Sequence, residues 1–163
     1  MILICYDGSE DSKAAIERAG SLFRGDPAIV LTVWEPFSDM LARTSAGLGY
    51  VTGVSDDQRF DEEGRKSAER MAEDGATAAR GAGLDATSRI CARAGTVAHS
   101  ILSAADRANA SAIVLGSRGL TGVGSLFLGS VSHAVVQSAD RAVLVVPSPK
   151  VATRRNEKLR ANE

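Results

Sequence analysis

Apolar positions along this chain switch period several times, and each switch marks a change of element. "ILICY" (2–6) is a continuous apolar run closed by Asp-Gly, the pattern of a buried strand. The next segment turns helical: Ala15, Ala19 and Leu22 recur at i, i+4 and i+7, with Ile16 and Phe23 beside them, Ser9 placed as N-cap and Gly25 as stop. "AIVLTVW" (28–34), "SAIVLG" (111–116) and "AVLVVP" (142–147) repeat the buried-strand pattern, and "ATSRICAR" (86–93) alternates like a half-buried strand. A long helix is predicted over 57–82, with small residues at Gly64, Ala68, Met71, Gly75 and Ala78. Its solvated face offers Asp61/Arg65 and Glu62/Lys66 pairs. Its internal glycines weaken it by ~1 kcal/mol each. Val97, Ile101, Ala104 and Ala108 form a stripe over 95–110 that leaves His99 exposed, and a last helix opens near Ser130. Strands alternating with helices predict an α/β domain with a mostly parallel sheet. Residues 35–56 read as a loop rich in Gly, Ser and Thr, the candidate moving part. The charged tail, 149–163, has few apolar positions and is expected to be frayed or disordered.

Composition narrows the class. At 163 residues the chain is of single-domain size and can bury a core without staples. Aromatic residues make up 4%, so the core is expected to consist of small and branched aliphatics. A net charge of −1 argues against a dedicated nucleic-acid binder. No apolar run approaches the ~20 residues that span a bilayer. The chain opens directly in a strand, with no basic region ahead of a long apolar stretch, and a cytoplasmic location is expected. Cys5 and Cys91 lie in strand-like runs with no C-x-x-C and read as small buried hydrophobes. The two histidines, His99 and His133, have no partner at ligand spacing, so no structural metal site is expected.

One segment does not fit a plain scaffold. "GSRGLTGVGSLFLGS" (116–130) is too rich in glycine for a helix or strand, yet it joins a buried strand to the last helix. Open parallel sheets bind ligands beyond the carboxyl ends of their strands, at the point where the strand order reverses. For the order 3-2-1-4-5 that point lies between the first and fourth strands, so "YDGS" and "LGSRG" would face each other. Gly116 and Gly119 would admit close backbone approach or positive φ. Gly129 and Ser130 sit at a helix start whose bare N–H groups suit an anion. The Ser130 and Ser132 hydroxyls would add hydrogen bonds, and Leu120, Val123, Leu126, Phe127 and Leu128 would pin the loop. Gly122 and Gly124 read as loop flexibility, Arg118 as an exposed loop arginine, and Trp34 as packing under the following loop. Walker A, dinucleotide and nucleophile-elbow motifs are all missing.

Gly116, Gly119, Gly129 and Ser130 do match the spacing G-x2-G-x9-G-[ST]. With "CYDGSEDSKAAIERA", "IVLTVWEP", "GTVAHSIL" and "RAVLVVP" in the same order, the chain resembles the ATP-binding subset of the universal stress protein family over residues 1–148. The resemblance implies one domain over 1–148: a Rossmann-like, three-layer open sandwich with a five-stranded parallel sheet of order 3-2-1-4-5, like the adenine nucleotide alpha hydrolases. It implies binding of ATP or AMP, with Mg²⁺ bridging the phosphates. Asp7 would stand at the adenosine side, preceded by Cys5 and Tyr6; Val33 would meet the adenine; Leu115 and Gly116 would flank the nucleoside; Gly119 would admit ribose or phosphate. Gly129, Ser130, Val131 and Ser132 would hold the phosphates. It also implies a homodimer pairing Ala142 to Val146 with its twofold mate, the alternative being that the tail or the long loop covers that edge. The chain departs from the family's frequent residues at Cys5, where some members have Pro, and at Ser111, where Asp is common.

The function expected is that of a nucleotide-dependent stress-response or signalling module. No general base, arginine finger or Walker-type lysine is placed for turnover, so any ATP hydrolysis is expected to be slow. Alternatives are a true ATPase or nucleotidyl transferase, a nucleotide-independent dimeric adaptor, and a receptor for AMP or cyclic AMP.

Overall fold

The computed structural model describes residues 1–37, 39–40, 57–120 and 128–160. Most of the predicted 35–56 loop therefore lies outside the described residues, as do Gly122, Val123, Gly124, Leu126 and Phe127. The elements in chain order are β1 (Ile2–Cys5), α1 (Glu10–Leu22), β2 (Pro27–Trp34), α2 (Asp57–Gly81), β3 (Asp85–Ala92), α3 (Val97–Arg107), β4 (Ala112–Gly116), α4 (Ser130–Ser138), β5 (Ala142–Val146) and α5 (Pro149–Arg160).

The five strands form one sheet in the order β3-β2-β1-β4-β5, and every neighbouring pair is parallel. Central β1 registers Leu3 against Ile29 on one side and Ile113 on the other. Both faces of the sheet are covered, which is why the strands read as near-continuous apolar runs. Ile2, Ile4, Ala28, Val30 and Val114 pack with Ala15, Ile16 and Ala19 of α1 and Ala76 and Ala79 of α2. The alternate positions Leu3, Ile29, Leu31, Ile113 and Leu115 pack with Ala98, Ile101 and Ala104 of α3 and Val135 of α4. The result is a three-layer sandwich.

Small residues set how closely the layers approach. A Cβ at Gly75 would stand 2.7 Å from Cδ1 of Tyr6 and 2.9 Å from Val30, so glycine lets α2 close on the sheet. The buried stripe of α2 is Ala68, Ala72, Ala76 and Ala79, whereas Ala78, expected inside, is exposed. Ala68 and Gly75 of the expected face are buried, and Gly64 and Met71 are half-buried, so only the last turn departs, with Ala79 in place of Ala78. On the outer face Glu62 pairs with Lys66, but Arg65 pairs with Glu69. Asp61 accepts a bond from the Phe37 N–H. Trp34 lies against α2, 3.6 Å from where a Cβ on Gly64 would stand.

The tail differs from expectation. Residues 149–160 form α5, with Pro149 in its first turn, where a missing N–H costs nothing. The Ser148 carbonyl accepts the N–H groups of Val151 and Ala152. Val151 is buried, and the other described side chains of the helix are exposed except for half-buried Ala152. A single apolar anchor leaves almost no periodic signal. No helix among the described residues is long and apolar enough to cross a membrane.

Candidate functional site

Beyond Cys5 the chain stays extended because β2 holds it. The Tyr6 N–H donates to the Leu31 carbonyl at 2.9 Å, and the Thr32 hydroxyl donates to the Tyr6 carbonyl at 2.9 Å. Asp7 then turns the chain, its Oδ1 accepting the Ser9 N–H at 3.0 Å, with Gly8 at φ +79°. That left-handed conformation favours glycine. Ser9 caps α1, accepting the Ser12 N–H at 3.2 Å.

The facing wall comes from the end of β4 and the start of α4. The Ser117 N–H donates to Val146, and the Ser117 carbonyl accepts both the Gly129 N–H at 2.8 Å and the Ser132 hydroxyl at 3.0 Å. These bonds fix the start of α4 beside the end of β4. Gly129 is the N-cap; it supplies no side-chain cap, and the first turn holds no acidic residue. The Ser132 hydroxyl, expected to serve a ligand, spends its proton on Ser117. Ser130 is exposed and lines the cavity described next.

Between these walls lies a cavity of about 270 Å³. Cys5, Tyr6, Asp7, Val33, Leu115, Gly116, Gly119, Gly129, Ser130, Val131 and Ser132, named from sequence, all line it. The structure adds an apolar floor of Leu31, Val97 and Ile101, and it adds Ser12, Arg118 and Leu128. Leu31 shares Val33's strand face, and Val97 and Ile101 lie on the helical stripe, so their position was readable once the layers were fixed. Leu120, expected to pin the loop, is 68% exposed.

The glycines work by close approach. Neither Gly116 nor Gly119 has positive φ. A Cβ at Gly116 would lie 2.7 to 2.8 Å from Asp11 and the Ser12 N, so this glycine admits the start of α1. A Cβ at Gly119 would lie 2.7 Å from the Asp7 carboxylate, so the loop and the β1 tip nearly touch there.

Arg118 is the main correction. Its side chain is 13% exposed and its Nε lies 3.9 Å from Oδ2 of Asp11. Asp11 is itself 5% exposed. The Ser117 hydroxyl donates to the same carboxylate at 2.7 Å, and the buried Ser148 hydroxyl and backbone N–H are near enough to favour its charged form. Burial pushes the Asp11 carboxyl up, but those donors and the Arg118 charge outweigh it and hold it below its ordinary value. This cluster joins residues more than a hundred positions apart, which no local pattern signals. On the apolar side, burial, reinforced by Cys91 and Asp7, pushes the Cys5 thiol up to about 12. It therefore stays protonated and behaves as an apolar wall. Among the described residues no cluster of His, Cys, Asp or Glu has metal-holding geometry.

The arrangement is two-ended: an apolar floor beneath the carboxyl ends of β1 and β2, and hydrogen-bond donors at the start of α4. Such a site suits a ligand with a flat body and an anionic end. A doubly wound sheet with its cavity at the reversal of strand order places the chain among the open α/β proteins whose ligand site lies beyond the carboxyl ends of the strands.

The universal stress protein family model matches residues 1–147. A universal stress protein of Thermus aquaticus is 35% identical over 147 residues, 89% of this chain and 96% of that protein. YxiE, a universal stress protein of Bacillus subtilis, is 33% identical over 147 residues, 89% and 97% of the respective lengths. The chain belongs to the universal stress protein family. Solved structures share the fold. The Archaeoglobus fulgidus universal stress protein in complex with dAMP has a TM-score of 0.56 at 19% identity, over 89% of this chain and 95% of that one. A universal stress protein in complex with cAMP has 0.59 at 22%, over 90% and 96%. An Arabidopsis thaliana member with AMP bound has 0.58 at 15%, over 90% of each.

Proposed function

We propose that this chain is a cytoplasmic adenine-nucleotide-binding module of stress response, with ATP as its main ligand. The observation that carries this reading is the uncapped start of α4, opening beside Arg118 at one end of an apolar-floored cavity. The base would rest on Leu31, Val33, Val97 and Ile101, and Asp7 would face the nucleoside. The phosphates would take the N–H groups of Ser130, Val131 and Ser132 and the Ser130 hydroxyl. A Mg²⁺ ion carried by a triphosphate would be held chiefly by phosphate oxygens and water. Relatives crystallised with dAMP, cAMP and AMP support an adenylate in the same fold. They also make AMP and cyclic AMP the natural competitors in a titration. The donor set suits holding a nucleotide, and turnover is expected below ~1 s⁻¹, the low end for typical enzymes.

The direct test is to denature the purified protein and identify any released nucleotide by mass spectrometry. Gly129→Trp is the companion variant, since a Cβ there already meets Ser117 O and Arg118 Cα at 3.2 Å. Loss of nucleotide binding with an unchanged circular dichroism spectrum is expected. Undiminished affinity would place the phosphates elsewhere.

We read the working unit as a homodimer. Among the described residues β5 pairs with β4 alone, and Val143, Leu144 and Val145 are half-buried in the single chain. A twofold pairing of β5 would satisfy that edge. Sedimentation equilibrium should return twice the chain mass for the native protein and a monomer for Leu144→Lys.

A further inference from the structure

The two ends of the cavity are held by separate sets of hydrogen bonds. At the α4 end the Ser117 carbonyl gathers the Gly129 N–H and the Ser132 hydroxyl. At the apolar end Val33 comes from β2, and Val97 is the first residue of α3. Residues 93–96 alone separate Val97 from the end of β3. Whatever fixes that short turn therefore sets how far Val97 stands from Val33.

Arg93 fixes it. Its N–H donates to the Trp34 carbonyl at 2.7 Å, which carries the β2–β3 ladder one step past the pairing of Trp34 with Ala92. Its Nε–H donates across the turn to the Gly95 carbonyl at 2.7 Å, where Gly95 takes φ +67°. Its Nη1 reaches Oε1 of Glu35 at 3.4 Å. Val33 registers against Cys91, so by strand alternation Glu35 and Arg93 form the next pair on the same face of the sheet. Both side chains are partly buried, and a planar guanidinium can hold two acceptors at once where an ammonium cannot keep the same fork. Behind the turn, buried Ser100 accepts the Ala94 N–H at 2.9 Å and donates to the Thr96 carbonyl at 3.2 Å. Arg93 is not itself among the residues that line the cavity.

A binding wall is only as well placed as the bonds that support it. We infer that Arg93 is a positioning residue for the base end of the site: by tying the end of β3 to Gly95 and Glu35, it holds Val97 opposite Val33 at the spacing a purine ring needs. This deepens the nucleotide reading above and rests on it. The bonds of Arg93 share no residue with those at the start of α4, so its effect falls on the base and not on the phosphates.

The test uses the full chain, ATP and adenosine, with the variant Arg93→Gln. Both ligands carry the same base, so both should weaken by a common factor of about five or more, the lower range of couplings between separate parts of a protein. In the native chain saturated with adenosine, nuclear Overhauser contacts should join the adenine protons to the methyls of Val33 and Val97. In the variant at saturation the Val97 contacts should be lost and the Val33 contacts kept. Saturating ATP should give the Ser130, Val131 and Ser132 amides the same shifts in both chains. Should Arg93→Gln fail to fold, Arg93→Lys, which keeps the charge but not the fork, reads the same contacts. Affinities within about twofold of native, a loss confined to ATP, or Val97 contacts that survive the substitution would each overturn the positioning role and leave the nucleotide reading standing. If neither ligand binds the native chain, the nucleotide reading fails and the positioning role fails with it.

Discussion

Two helices start side by side at the carboxyl ends of β1 and β4, and they are finished in opposite ways. The start of α1 is closed by the chain's own oxygens: Ser9 caps it, Asp7 holds the Ser9 N–H, and Glu10 and Asp11 place negative charge in the first turn. The start of α4 has a glycine cap, no side-chain acceptor and no acid in its first turn. An α-helix leaves its first N–H groups without intrahelical partners, and proteins normally satisfy them. One start is therefore closed by the chain's own oxygens, and on the proposed reading the other takes its acceptor from a ligand. That asymmetry locates function more sharply than the count of glycines between Gly116 and Ser130.

The strongest way to break the contrast is to make α4 resemble α1. Ser130→Asp puts a carboxylate in the first turn at an exposed position. Helix-dipole complementarity predicts a fold as stable as the native one or ~0.3–1 kcal/mol more so. ATP affinity should fall about 100-fold, as expected for losing charge-assisted hydrogen bonds worth ~1.5–3 kcal/mol each. Thermal melting and calorimetric titration of the same sample read both effects.

Next in size is the contact that lets the two starts lie side by side. Gly116→Ala would drive its Cβ to within 2.8 Å of the Ser12 backbone N. Overpacking of this kind costs about 1–3 kcal/mol, visible as a lower urea midpoint. Ser9→Ala opens the closed start and should cost about 1 kcal/mol of stability, with ATP affinity nearly unchanged. An equal loss of affinity would mean that α1, too, holds phosphate.

Acid tests the buried carboxylate behind α1. Asp11 is held below its ordinary value in the fold, because the Ser148 and Ser117 donors and the Arg118 charge outweigh its burial. Its stabilisation is fully present above the unfolded pKa, about 3.9, and is lost as pH falls through the folded one. Urea midpoints should therefore drop more between pH 5 and pH 3 for the native chain than for Asp11→Asn. Cys5 gives the smallest effect. With its thiol pushed up to about 12 from 9.0, iodoacetamide at pH 8 should leave it unlabelled until the chain is unfolded. Its contribution to stability is full below 9 and declines as pH rises toward 12.

Much of this was legible in the chain because it is local. Runs such as "ILICY" and "AIVLG" must be buried on both faces, and alternation with helical periods leaves few topologies. The resemblance then supplied the strand order and the site positions, and the structure gathers those positions around one cavity. What escaped depends on tertiary contact. Arg118 looks like any loop arginine until Asp11, on another element, is brought beneath it. Gly116 reads as ligand clearance until α1 is seen crossing it. In the last turn of α2 Ala79 rather than Ala78 faces the core, and α5 needed only Val151 and Ser148 to be anchored.

The measurement closest to the central claim is an amide NMR titration of the native chain with ATP and, separately, adenosine. The account predicts that the Ser130, Val131 and Ser132 amide signals shift and saturate with ATP. Adenosine should move signals around Val33 and Asp7 while leaving those three in place. ATP binding that leaves the start of α4 unmoved would contradict it.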